Sequence, residues 1–143
     1  MKKLLFALGV CSLLVVSCGK TGTDDSKKED DVVTISTELT GLDNLNAQIT
    51  YTVGSKSETK TGSASNNYSA TISSRPCDVK VSCKFSLKDG VSFPLTVKYG
   101  FVLSISAKGY MSSETNINSK SFDSKKEAEE FLANPLTYSA KLP

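Results

Sequence analysis

The stretch Cys77-Asp78-Val79-Lys80-Val81-Ser82-Cys83-Lys84-Phe85-Ser86-Leu87 decides the fold. Its odd positions hold Cys77, Val79, Val81, Cys83, Phe85 and Leu87. Its even positions hold Asp78, Lys80, Ser82, Lys84 and Ser86. Successive side chains of a β-strand point to opposite faces, so a strict period of two means one buried face and one wet face. A helix would spread the same apolar residues around its circumference.

The alternation extends in both directions. Val33, Ile35, Thr37 and Leu39 fall on one face of a first strand. Ala47, Ile49, Tyr51 and Val53 mark a second, and Tyr68, Ala70 and Ile72 a third. Beyond the central run come Val91, Phe93, Leu95, Val97 and Tyr99, then Phe101, Leu103, Ile105 and Ala107. Leu136, Tyr138, Ala140 and Leu142 supply the last strand. Asp89-Gly90 between two alternating runs predicts a tight hairpin, because a type I′ turn needs positive φ at both central residues. Asn66-Asn67 reads as a second tight turn, with longer turns at Gly54-Ser55 and from Gly41 to Asn46. Gly100 predicts a break or bulge, and Pro94 a strand start or an edge. Met111 to Phe122 is a long polar segment without clear alternation. Ser and Thr crowd the wet faces, but they alternate with Val, Ile and Phe, which sets the chain apart from a proline-rich stalk.

One helix is expected near the end. Ser124-Lys125-Lys126-Glu127 has capping-box form. Ala128, Phe131 and Leu132 follow at helical spacing, and Asn134-Pro135 stops the run. So short a helix is unstable alone and must dock, here through Phe131 and Leu132. The sum is a mainly β chain of about seven antiparallel strands and one short late helix, most simply a β-sandwich.

The segment Phe101-Val102-Leu103-Ser104-Ile105-Ser106-Ala107-Lys108-Gly109-Tyr110 resembles the closing strand of carboxypeptidase-regulatory-like and transthyretin-like domains, which end in Ala-x-Gly-Tyr. The resemblance implies an immunoglobulin-like or transthyretin-like sandwich of accessory, non-catalytic type.

The first residues read as an address. Lys2 and Lys3 precede an apolar run from Leu4 to Val16. A membrane-spanning helix needs about 20 apolar residues, so the run is too short to span. It fits the charged start and the apolar region of about 7–15 residues of a secretory signal peptide. Val15-Val16-Ser17-Cys18 then resembles the lipobox of bacterial lipoproteins: an aliphatic residue three before a cysteine and a small one just before it. Cys11 is a poor rival, since Val10 before it is not small. The resemblance implies cleavage after Ser17 and acylation of Cys18, with residues 1–17 a signal peptide. Residues 18–31 then form a lipidated polar tether and 32–143 a single β-sandwich domain. From Gly19 to Asp31 there is no apolar side chain with which to offset the entropy of ordering. Its acidic character resembles outer-membrane export tags. The expected location is the bacterial outer membrane, on its periplasmic face or at the cell surface.

Composition excludes much chemistry. Among 143 residues there is no histidine, which removes the His-based triads, shuttles and zinc sites. There is no tryptophan, the strongest stacking platform for a sugar or base. Basic residues number 17 and acidic 15, and Arg75 is the only arginine, so there is no footprint for nucleic acid. Without Lys2 and Lys3 the two signs balance. Attachment to an anionic membrane then falls to the acyl chains on Cys18 rather than to charge. Two or three such chains hold firmly, at about 0.8 kcal/mol per buried methylene.

The remaining candidates are modest. If the central run is a strand, Cys77 and Cys83 lie about 20 Å apart along it, too far for a disulfide. An internal bridge requires Asp78 to Ser82 to be a loop. Two thiols without histidine are too few for a metal site, and neither thiol has a base beside it. No carboxylate sits in a catalytic motif. Lys80, Lys84 and Lys88 share one wet face, which suits edge protection better than an acidic glycan. Tyr110 is the one weak candidate for a stacking contact with a ligand. No enzyme, cofactor or metal is expected. The expected function is a non-catalytic, lipid-anchored envelope module, a binding or structural accessory with a protein or glycan partner. The alternatives are a carbohydrate-binding lipoprotein of a glycan-uptake system, or a subunit or anchor of a surface fibre using an exposed strand edge.

Overall fold

The computed structural model describes residues 30–143. The expected signal peptide, Cys18 and all but the last two residues of the expected tether lie outside the described residues. The chain runs β1 (Asp31–Thr40), β2 (Leu45–Val53), β3 (Lys56–Thr61), β4 (Ser65–Ile72), β5 (Cys77–Leu87), β6 (Leu95–Ala107), β7 (Tyr110–Phe122), α1 (Lys125–Leu132) and β8 (Leu136–Leu142). The strands form two four-stranded sheets, ordered β4-β1-β6-β7 and β3-β2-β5-β8. Every pairing is antiparallel. The expected mainly β sandwich is therefore present, with eight strands among the described residues. β1 and β2 lie in opposite sheets, whereas the first two strands of an immunoglobulin constant domain share one.

The alternating residues build the core. Ile35 of β1, Tyr51 of β2, Val81 of β5 and Phe101, Leu103 and Ile105 of β6 are at most 1 % exposed. Burial of these faces sets the register, because a slip of one residue would turn each apolar set into water. β5 is the interior strand that its sequence indicates, paired to β2 and β8 along its length. Its Lys80 and Lys84 therefore do not guard an edge, and Lys88 donates through Nζ to the Leu42 carbonyl at 2.5 Å.

Several turn readings are corrected. Asp89-Gly90 joins no hairpin: β5 and β6 lie in different sheets, and residues 88–94 cross between them. Gly90 does take positive φ, 77°, but as part of a crossover. Val91 and Phe93 fall in this loop, while Pro94 immediately precedes β6. Asn66 and Asn67 belong to β4. Asn66 is buried because its side chain donates to the Ser63 carbonyl at 2.7 Å and closes the preceding turn. Gly100 makes no break, since the β6–β7 pairing keeps one register from Leu95↔Phe122 to Ala107↔Tyr110.

The polar segment Met111–Phe122 is part of the 13-residue strand β7, and β3, wholly polar, is a further strand. Both lie at sheet edges, where water reaches more of each side chain and period two fades. The helix has its expected start. The Ser124 hydroxyl accepts from the Glu127 amide at 3.3 Å, and the Glu127 carboxylate accepts from the Asp123 amide at 3.0 Å. It docks through buried Ala128 and Leu132. Phe131 remains 44 % exposed, its ring edge-on to Tyr99 and tilted against Phe122.

Candidate functional site

Cys77 and Cys83 face inward from β5 and are free. Cys83 is fully buried, and burial pushes its thiol up to about 12. A thiol held protonated at neutral pH is a core side chain, not a nucleophile. Among the described residues no group of three or more Cys, Asp or Glu side chains gathers to hold a metal. The carboxylates with close cationic partners serve structure. Asp31 meets Arg75 at 2.5 Å, and that contact holds its carboxyl below the usual range. Glu58 pairs with Lys60, Glu129 with Lys125 and Glu130 with Lys126.

Arg75, the sole arginine, ties together one end of the sandwich. Besides Asp31 at the start of β1, it donates to the carbonyls of Lys108 in the β6–β7 turn and Pro143 at the terminus. The planar guanidinium reaches three chain segments at once, which an ammonium could not do with the same geometry. The chain thus enters β1 at a fastened point.

Tyr110 begins β7 opposite Ala107, half-buried against the core. Tyr138 is also half-buried, and its hydroxyl lies 3.0 Å from that of Ser112, bridging β7 and β8. A depression of about 280 Å³ opens between Ser55, Lys56, Ser73, Ser74, Pro76 and Asp78, with no aromatic ring on its wall. A second, of about 410 Å³, lies over Asp78–Lys80 and Ser139–Lys141 and is likewise without a ring. Neither offers the stacking surface that sugar binding usually employs.

What distinguishes the molecule is the treatment of its sheet edges. An edge strand presents unpaired amides and carbonyls, and soluble proteins usually blunt them. On one side of the sandwich they are blunted. Lys56 of β3 reaches across to the Thr71 carbonyl of β4 at 2.5 Å, and Lys60 of β3 reaches the Asn67 carbonyl. Ammonium groups thus occupy carbonyls along the outer edge of β4. On the other side the edges are β7 and the seven-residue β8; β7 is the longer, free of proline and without a bulge, and it pairs with no described strand but β6. Glu114 and Lys120 are its only charged residues, and Lys120 lies over the Phe131 ring at 5.6 Å from the centroid.

The alternation test overlooked β7 because its inward positions hold Ser112, Glu114, Asn116, Asn118 and Lys120 rather than apolar residues. One signal was present. Lys108-Gly109, with Gly109 at φ 70°, is a two-residue connection between β6 and a segment of matching length. Comparison with known protein families, with curated proteins and with solved structures finds no match for this chain.

Proposed function

We propose that this chain is a non-catalytic envelope protein, anchored in the bacterial outer membrane by acyl chains on Cys18, that works by holding a partner along a strand edge. The observation that carries the reading is the uncovered β7 edge on a sandwich whose opposite side is sealed by Lys56 and Lys60. Support for the anchor comes from the lipobox-like Val15-Val16-Ser17-Cys18 ahead of a polar tether. Among the alternatives, assembly through a strand edge has more support than sugar binding: these two depressions carry no aromatic ring, and Phe85, which borders another of about 220 Å³, is buried in the core. Strand addition uses main-chain hydrogen bonds for affinity and alternate side chains for specificity, so it needs no pocket. Confinement to one membrane raises the effective concentration of partner and edge.

The anchor is tested by growing cells with an alkyne-labelled fatty acid. The wild-type chain takes up the label and fractionates with membranes. Cys18→Ala loses both properties. A wild-type chain without label, or a Cys18→Ala variant still bound to membranes, rejects the anchor.

A further inference from the structure

We infer that the partner of the β7 edge is a second copy of this chain, joined β7 to β7 in antiparallel fashion with Ile117 on the two-fold axis. A closed dimer requires one surface to complement itself, residue i meeting j while j meets i. The order of side chains along β7 meets that requirement. With Ile117 opposite Ile117 of the second copy, Glu114 of each copy falls opposite Lys120 of the other. Asn116 falls opposite Asn118, and Thr115 opposite Ser119. Both charges of the strand are thereby paired with their opposites twice, once on each side of the axis. Opposite charges directly across antiparallel strands attract, and like charges there repel.

The register also respects the faces of the sheet. Glu114 and Lys120 sit opposite Leu103 and Val97 of β6, on the same face, while Ile117 sits on the other. The pairing turns two four-stranded sheets into one continuous sheet with β7 at its centre, so the uncovered edge is removed rather than merely shielded. Shifting the register by two residues would leave Glu114 opposite Phe122 or Asn118, with no cation across from it. The edges of β3 and β4 do not compete, because lysine ammonium groups bridge them. β8 is the fourth edge, but its only charged residue is Lys141, so no self-pairing register gives it an anion opposite. In this arrangement β1 runs parallel to β7 within each copy, so the two tethers leave opposite ends of the joined sheet.

The inference names the partner in the proposed function and rests on that reading only for the role of the edge; acylation plays no part. The test is disulfide trapping in the full-length chain, in detergent, scored over the wild-type chain under the same mild oxidation. Residues directly opposite in an antiparallel pair have Cα atoms about 4.5–5.5 Å apart, within disulfide range. Ile117→Cys is expected to give a covalent dimer. Thr115→Cys alone is not, since its own copies lie about 13 Å apart in this register, four residues along the strand. Thr115→Cys mixed with Ser119→Cys is expected to cross-link. Charge reversal by Glu114→Lys weakens self-association by about tenfold, and adding Lys120→Glu restores it. A monomeric wild-type chain at every concentration in sedimentation, no cross-link at Ile117→Cys, or equal cross-linking of Thr115→Cys alone overturns the inference. Loss of the fatty-acid label with cross-linking retained rejects the anchor alone, and the reverse outcome rejects the dimer alone.

Discussion

Thr37 shows what a single residue can and cannot disclose. Its place in the row Val33, Ile35, Thr37, Leu39 puts it on the buried face by alternation alone, and it is 1 % exposed. What the row does not disclose is why a hydroxyl is tolerated there. Across the core the Tyr51 hydroxyl lies 2.6 Å from the Thr37 Oγ1, and the Tyr51 ring stacks on Tyr68 at 5.3 Å. The Thr37 hydroxyl also donates to the Asn66 carbonyl at 3.4 Å, so both buried hydroxyls have partners and carry little net penalty. Thr37→Val keeps the shape of the side chain but orphans the Tyr51 hydroxyl. It is expected to cost about 1–3 kcal/mol in urea denaturation. In Thr37→Val/Tyr51→Phe both partners are gone, and the loss should be smaller than in Thr37→Val alone. Equal or additive losses would mean that the pair contributes nothing by its contact.

At the scale of elements, the sequence is legible where water touches one face only. β1, β2, β5 and β6 are each half wet and half buried, and each is found by period two. β3 and β7 are edge strands with few apolar residues, so the same test returns nothing. The helix is legible for a different reason: Ser124 and Glu127 announce its start by their own chemistry. Gly100 misleads because a glycine inside an alternating run reads as an interruption. It actually permits continuity. Its φ is 145°, and a Cβ at this position would come within 2.0 Å of the Asn116 carbonyl oxygen on β7. Close approach of two strands is the reason for glycine here, not a bulge. Gly100→Ala is therefore expected to destabilise the fold by about 1–3 kcal/mol. The damage should concentrate in the β6–β7 pair, seen as faster amide exchange from Asn116 to Asn118 than in β5. Unchanged exchange there would show that β7 shifts aside at no cost. If the β7 edge pairs with a second copy, this variant also lowers the yield of the Ile117→Cys cross-link.

At the scale of the whole molecule, one core carries both the architecture and a dependence on pH. The sandwich is legible because inward faces from β1, β2, β4, β5 and β6 converge on it, whereas the open edge is a property of topology, which no local run of residues encodes. The same convergence buries groups that ionise at alkaline pH. Burial pushes the Cys83 thiol from 9.0 up to about 12. It raises the hydroxyls of Tyr51, Tyr68 and Tyr99 above 10.0, in Tyr51 outweighing the hydrogen bond with Thr37 that acts the other way. These groups stay neutral in the folded chain while their unfolded counterparts lose protons. The unfolded state then binds fewer protons, so stability must fall as pH rises. The contribution of Cys83 is complete below about pH 9, declines above it with a limiting slope of about 1.4 kcal/mol per pH unit, and levels off beyond about pH 12. The tyrosines add to the decline above about pH 10. On the acid side Asp31 works in the opposite sense: Arg75 lowers its carboxyl below 3.8, so its contribution holds at neutral pH and is lost only as pH falls below that value. Urea midpoints should therefore be flat from pH 6 to 8 and drop steeply from pH 9 to 10.5. Cys83→Ala lowers the midpoint at pH 7 because it leaves a void in a fully buried site, yet it should flatten the decline between pH 9 and 10. A Cys83→Ala profile parallel to the wild type over that interval would show that the thiol ionises as readily in the folded chain as in the unfolded one, and that water reaches Cys83 through the sheet.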